Sequence, residues 1–150
     1  MATAKVLKKP NVDLATRQQE WLNRLDGLVY QIQRWAKDLG WSTRRIAKKM
    51  KDSEVGDYVA PALLLQEETT RVLLEPIARS APGADGVVDL YLMPAYDDIA
   101  SLYFSESTWQ LHYLWPGTPL GNIRDAEHTR LSKKSFQKVL EEMKDNATQD

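Results

Sequence analysis

A chain of 150 residues without cysteine is long enough to close one core unaided, and it excludes disulfides, thiolate metal sites and cysteine nucleophiles. The opening MATAKVLKKP is basic but leads into no apolar segment, and no run approaches the roughly 18 apolar residues of a membrane span, so a soluble cytoplasmic protein with no membrane role is expected. The net charge of −1 hides an asymmetry: residues 1–51 carry 12 Lys and Arg against 4 Asp and Glu, while residues 52–150 carry 8 against 17. Such a division implies either a polyanionic partner for the first third or electrostatic complementarity between the parts.

In chain order, residues 1–12 hold Lys5, Lys8 and Lys9 with few apolar residues and read as a flexible basic arm. Residues 13–145 read as one α+β domain, and 146–150 as a frayed tail. Thr16 with Gln19 three residues on fits a capping box, with Asp13 as the alternative cap. Trp21, Leu25, Leu28, Ile32, Trp35 and Leu39 then recur four and three apart, with Leu22, Val29 and Ala36 beside them. That spacing predicts a helix over 16–39, about 36 Å long, with a broad apolar stripe that lies on a sheet. Gly40 supplies its C′ position, and Gly27 sits inside it at a cost of about 1 kcal/mol relative to Ala. A second, short helix is expected over 42–51, with Ser42 as cap, Ile46, Ala47 and Met50 inward, and Arg44, Arg45, Lys48, Lys49 and Lys51 outward.

Val59 to Gln66 and Thr70 to Ile77 are apolar runs around the polar Glu67-Glu68-Thr69 and read as a hairpin; a single helix would set six polar residues, Gln66 to Arg71, across its buried face. Pro61 and Pro76 each remove a ladder donor, which predicts an edge or a bulge. After the turn at Ala81–Gly86, three strands follow between Val87 and Trp115, broken at Pro94–Asp98 and Ser105–Thr108. Val88, Leu90, Leu92, Leu102 and Phe104 form an apolar face suited to the long helix. The opposite face mixes Asp89, Tyr91, Ser101, Tyr103 and His112. Pro116 to Asp125 is a Pro/Gly-rich connection, and a last helix starts at Ser132 with Leu131 and Phe136 placed as a hydrophobic staple. The expected fold is therefore α+β: an antiparallel sheet of about five strands in meander order, packed against a long N-terminal helix and a C-terminal helix.

Three functional readings compete. The first is a small non-enzymatic binding protein, an adaptor, inhibitor or accessory subunit, whose partner is another protein. Its candidate contacts are Trp41 and Trp115 as anchors at element ends and Tyr91, Tyr103 and His112 on the mixed face. The second is nucleic-acid or polyanion binding by Arg44, Arg45, Lys48, Lys49 and Lys51 with the N-terminal arm. The spacing of Ser42, Ile46, Ala47 and Met50 resembles the first helix of a helix-turn-helix unit, but no second helix follows it. The third is an enzyme or ligand binder on the Tyr91, Tyr103, His112 face, which the last helix is expected to cover. Asp89, Asp97-Asp98, Glu75 and the Asp125, Glu127, His128 group do not converge in sequence, so no catalytic residue, metal site or cofactor is assigned.

Overall fold

The computed structural model describes residues 2–115 and 128–148, with side chains described over 13–115 and 128–147. Within them the chain runs α1 (Ala2–Asp38), β1 (Ser42–Met50), β2 (Tyr58–Glu67), β3 (Thr70–Ala78), β4 (Val87–Met93), β5 (Asp97–Ser105), β6 (Thr108–Tyr113), β7 (His128–Arg130) and α2 (Lys133–Thr148). The seven strands form one antiparallel sheet in sequence order, so the meander extends beyond five strands at both ends. The Pro116–Asp125 connection lies outside the described residues.

Helix α1 starts at Ala2, so the segment expected as a separate basic arm is continuous with it, and Asp13 and Thr16 lie inside the helix rather than at its start. Its C-terminus follows from Gly40. With φ at +91°, Gly40 donates its N–H to the Lys37 carbonyl at 3.1 Å, and Trp41 donates to the Ala36 carbonyl at 2.9 Å. This is a Schellman closure, and it buries Trp41 in the core instead of leaving it as an exposed anchor.

The largest correction concerns residues 42–51, which form strand β1 and not a helix. All nine residues of β1 pair with β2, from Ser42 opposite Gln66 to Met50 opposite Tyr58. A nine-residue helix is marginal by itself, and a vacant sheet edge offers the same backbone a ladder of partners. Ile46 and Ala47, expected to face inward, are exposed. The strand alternation also divides the basic residues: Arg44 stands opposite Leu64, and Arg45 opposite Leu63.

Cross-strand partners share a face, so the register identifies the core side. Leu63, Leu74, Leu90, Ala100 and Tyr113 are successive partners across β2 to β6, and Pro76, Val88, Leu102, Leu111 and Thr129 follow one another across β3 to β7. Trp21, Leu25, Leu28, Val29, Ile32 and Ala36 of α1 bury against this side, as do Phe136, Val139, Leu140 and Met143 of α2. The two helices meet where Trp35 and Phe136 lie 6.0 Å apart. Helix α2 starts as its sequence predicts, with Ser132 Oγ accepting from the Ser135 N–H at 3.1 Å. It continues to Thr148, past the point where fraying was expected. Asn146 and Lys144 fasten it to Asp98 and Glu67 on the same side of the sheet.

Both helices therefore share one face. The expectation that the last helix covers Tyr91, Tyr103 and His112 is overturned, because the apolar stripe of α2 completes the core beside α1. Among the described residues no helix is long and apolar enough to cross a membrane.

Candidate functional site

The second face of the sheet is built from two adjoining rows. One is polar: Glu75, Asp89, Ser101, His112 and His128 are successive partners across β3 to β7. At its β1 end the Lys48 ammonium lies 3.6 Å from Glu75 and donates to the Pro76 carbonyl at 2.8 Å. The other row is apolar: Leu64, Leu73 and Tyr91 are partners across β2 to β4, Ala62 stands opposite Ile46 at the β1 side, and Tyr91 meets Tyr96 edge-on at 5.6 Å. Ile46 and Ile99 are 37% and 49% exposed and Tyr96 53%. Between them Leu73 and Ala62 are buried and Leu64 and Tyr91 half-buried, so the exposed apolar surface lies at the β1 side and around the β4–β5 turn, and exposed large apolar side chains are a feature of interaction surfaces.

The polar row is largely satisfied internally. Asp89 accepts from the Ser101 hydroxyl at 2.8 Å and from the Tyr91 hydroxyl at 3.1 Å. Burial, and then the neighbouring Asp89 carboxylate, push the Tyr91 phenol far above its usual value, so it stays protonated. His112 stacks on His128 with ring centroids 4.7 Å apart and lies 6.4 Å from the Tyr103 ring. Its Nε2 is enclosed without a hydrogen-bond partner among the described residues. Burial, and then the like charge that His128 would carry, hold the His112 imidazole below its usual value.

Chemically this is a poor catalytic arrangement. A nucleophile needs a base in hydrogen-bond contact and a third group that orients the base. Among the described residues no hydrogen bond joins either histidine to a hydroxyl or a carboxylate. The same residues hold no cluster of three or more histidine and carboxylate side chains able to share a metal ion. Two imidazoles stacked nearly parallel, at 13°, present faces to each other rather than converging nitrogens.

The structure brings Tyr91, Tyr103 and His112 onto one face, as the alternation predicts, and it separates the basic residues. Arg45 turns toward α1, bonding Asp26 at 3.0 Å and Gln33 at 3.0 Å. Lys48 is engaged by Glu75 on the opposite side. Arg44, Lys49 and Lys51 are exposed, with no ion-pair partner among the described residues. Trp115 is half-buried and packs edge-on against Tyr113 at 4.7 Å.

Sequence reasoning missed the apolar half of this face. The signal was present in β2 and β3, where Ala62-Leu63-Leu64-Leu65 and Val72-Leu73-Leu74 are continuous apolar runs. Strands with one wet face alternate, and continuous runs indicate apolar positions on both faces. Compared with protein-family models, characterised proteins and solved structures, the chain finds no match.

Proposed function

We propose that this is a non-enzymatic binding protein that takes a partner protein onto the open face of its sheet. The observation that carries the reading is that α1 and α2 occupy the same face, so that among the described residues no helix covers the other, where Ile46 and Ile99 are exposed, Leu64 and Tyr91 half-buried and Leu73 buried between them. Arg44 lies on this face opposite Leu64, and Arg71 stands opposite Gln66 one register step further on. Both are exposed and unpaired among the described residues. The complementary surface is apolar at its centre with carboxylates where it meets these arginines. Tyr91 supports the role of anchor, since it offers a large, rigid contact at little entropic cost.

The nucleic-acid alternative has less support from β1 than a basic helix would have supplied. With Arg45 and Lys48 engaged on opposite sides, the strand presents no continuous cationic row to a phosphate backbone.

The test is site-directed photo-crosslinking. A benzophenone side chain placed at Ile99 is expected to capture one discrete protein in lysate of the source cell, with the yield lost in Arg44→Glu/Arg71→Glu. The same group at Tyr30, exposed on α1, is the control. Equal labelling from both positions, or a product indifferent to the arginine substitutions, would overturn the proposal.

A further inference from the structure

Strand β7 is the last of the sheet and only 3 residues long, and Leu131 and Ser132 join it to α2. The Leu131 N–H donates to the Trp109 carbonyl at 3.0 Å, which makes these two a hydrogen-bonded pair. Along an antiparallel ladder such pairs alternate with non-hydrogen-bonded ones, whose side chains stand closer. Leu111 and Thr129 are therefore the next hydrogen-bonded pair, and His112 and His128, beyond them, belong to the closer class. Their imidazoles fill that space, stacked 4.7 Å apart and 13° from parallel.

Among the described residues, nothing around this pair accommodates two positive charges. Charging an imidazole turns both of its nitrogens into donors, and the enclosed Nε2 of His112 has no acceptor there. On β7 the neighbouring charge is Arg130, set on the same face by its pairing with Gln110 and without an ion-pair partner among the described residues. Strand β5 presents Ser101, opposite His112, and the Tyr103 ring at 6.4 Å. The first carboxylate along this row is Asp89, beyond Ser101 on β4 and already accepting from the Ser101 and Tyr91 hydroxyls. Glu75, one strand further, faces Lys48. Both helices pack on the opposite side of the sheet.

We propose that the His112 and His128 stack is an acid-sensitive latch on the β7 edge of the sheet. While at most one imidazole is charged, the stack holds β7 on β6. When both are charged, β7 opens from its His128 end and uncovers the backbone edge of β6 at Leu111 and His112. The far end stays tied to α2, because the Ser135 hydroxyl donates to the Arg130 carbonyl at 3.1 Å. Such an opening is local: His128 and Arg130 are exposed and Thr129 half-buried, and elements with few buried contacts open well below the free energy of global unfolding.

The experiment measures amide hydrogen exchange of the full chain by NMR at low ionic strength, as protection factors at about pH 7.5 and about pH 5. Protection of the Leu111 and Thr129 amides should fall at least about fourfold on acidification, the factor by which two unit charges this close repel even at the dielectric of water. The β2–β3 ladder should keep its protection. His112→Gln should remove the fall. His128→Gln, at an exposed position, should diminish it and move the His112 titration midpoint upward. His128→Glu sets a carboxylate beside the imidazole and should reverse the effect, so that protection of Leu111 rises on acidification. An equal fall in both ladders, no fall in the parent, or a fall undiminished in His128→Gln and His128→Glu would each overturn the inference.

Discussion

Replacing Gly86 by alanine should destabilise the protein substantially, although glycine-to-alanine changes at compatible backbone positions usually stabilise by about 0.4–1 kcal/mol. The reason is Trp21. A Cβ at Gly86 would stand 2.5 Å from Cζ3 of that ring, 3.1 Å from Cη2 and 3.4 Å from Cε3. The ring is fully buried, and its Nε1 donates to the Tyr58 hydroxyl at 2.7 Å, so retreat from Gly86 strains or breaks that bond. Tyr58 is itself buried, and desolvation raises its phenol above the usual value. Overpacking costs about 1–3 kcal/mol and a weakened buried hydrogen bond about 1 kcal/mol. Against the entropic gain, the net loss is about 1–3.5 kcal/mol. For a chain of this size each kcal/mol lowers Tm by roughly 2–4 °C. Thermal unfolding followed by circular dichroism measures it. A double-mutant cycle with Trp21→Leu isolates the cause, because without the six-membered ring the alanine should cost much less. A Gly86→Ala protein as stable as the parent would refute this account of the α1–sheet contact.

Three further outcomes follow from the same contacts. Because the fold holds His112 below its usual value of 6.5, its contribution to stability is intact above about pH 6.5 and is lost as pH falls through the folded value, where the folded state too takes up the proton. Urea unfolding at about pH 7.5 and about pH 5 should therefore show a smaller acid-side loss in His112→Gln than in the parent, and equal losses would exclude this linkage. Asp98 accepts from the buried Tyr113 hydroxyl at 2.5 Å and from Asn146 at 2.6 Å, with φ at +50°. Asp98→Ala should cost about 2–4 kcal/mol, from an unpaired phenol plus left-handed strain, and Asp98→Asn distinctly less, as chemical denaturation would show. Gly40→Ala meets no steric neighbour, so only its left-handed φ opposes the change; a loss of about 1–2 kcal/mol is expected, reduced in Gly40→Asn.

Elements whose stability comes from their own pattern were legible. The α1 stripe, the β2–β3 hairpin and the Ser132 cap each carry a local signal that agrees with the tertiary contacts. Residues 42–51 misled because Ile46, Ala47 and Met50 stand at helical spacing, while the deciding term, an open edge on β2, is nonlocal and invisible in a window of ten residues. Strand β7 was missed for a similar reason: its three residues pair with β6, and alone they carry no periodicity at all.

The faces of the sheet show where such reading stops. Alternation placed Tyr91, Tyr103 and His112 together correctly, but which face the last helix covers depends on the side of the sheet to which the chain returns after β7. Nothing in the Phe136, Val139, Leu140, Met143 stripe encodes that choice. The same holds for Gly27. In sequence it is a helix defect worth about 1 kcal/mol. The structure adds that a Cβ there would meet nothing within 4 Å, so no internal packing asks for the glycine.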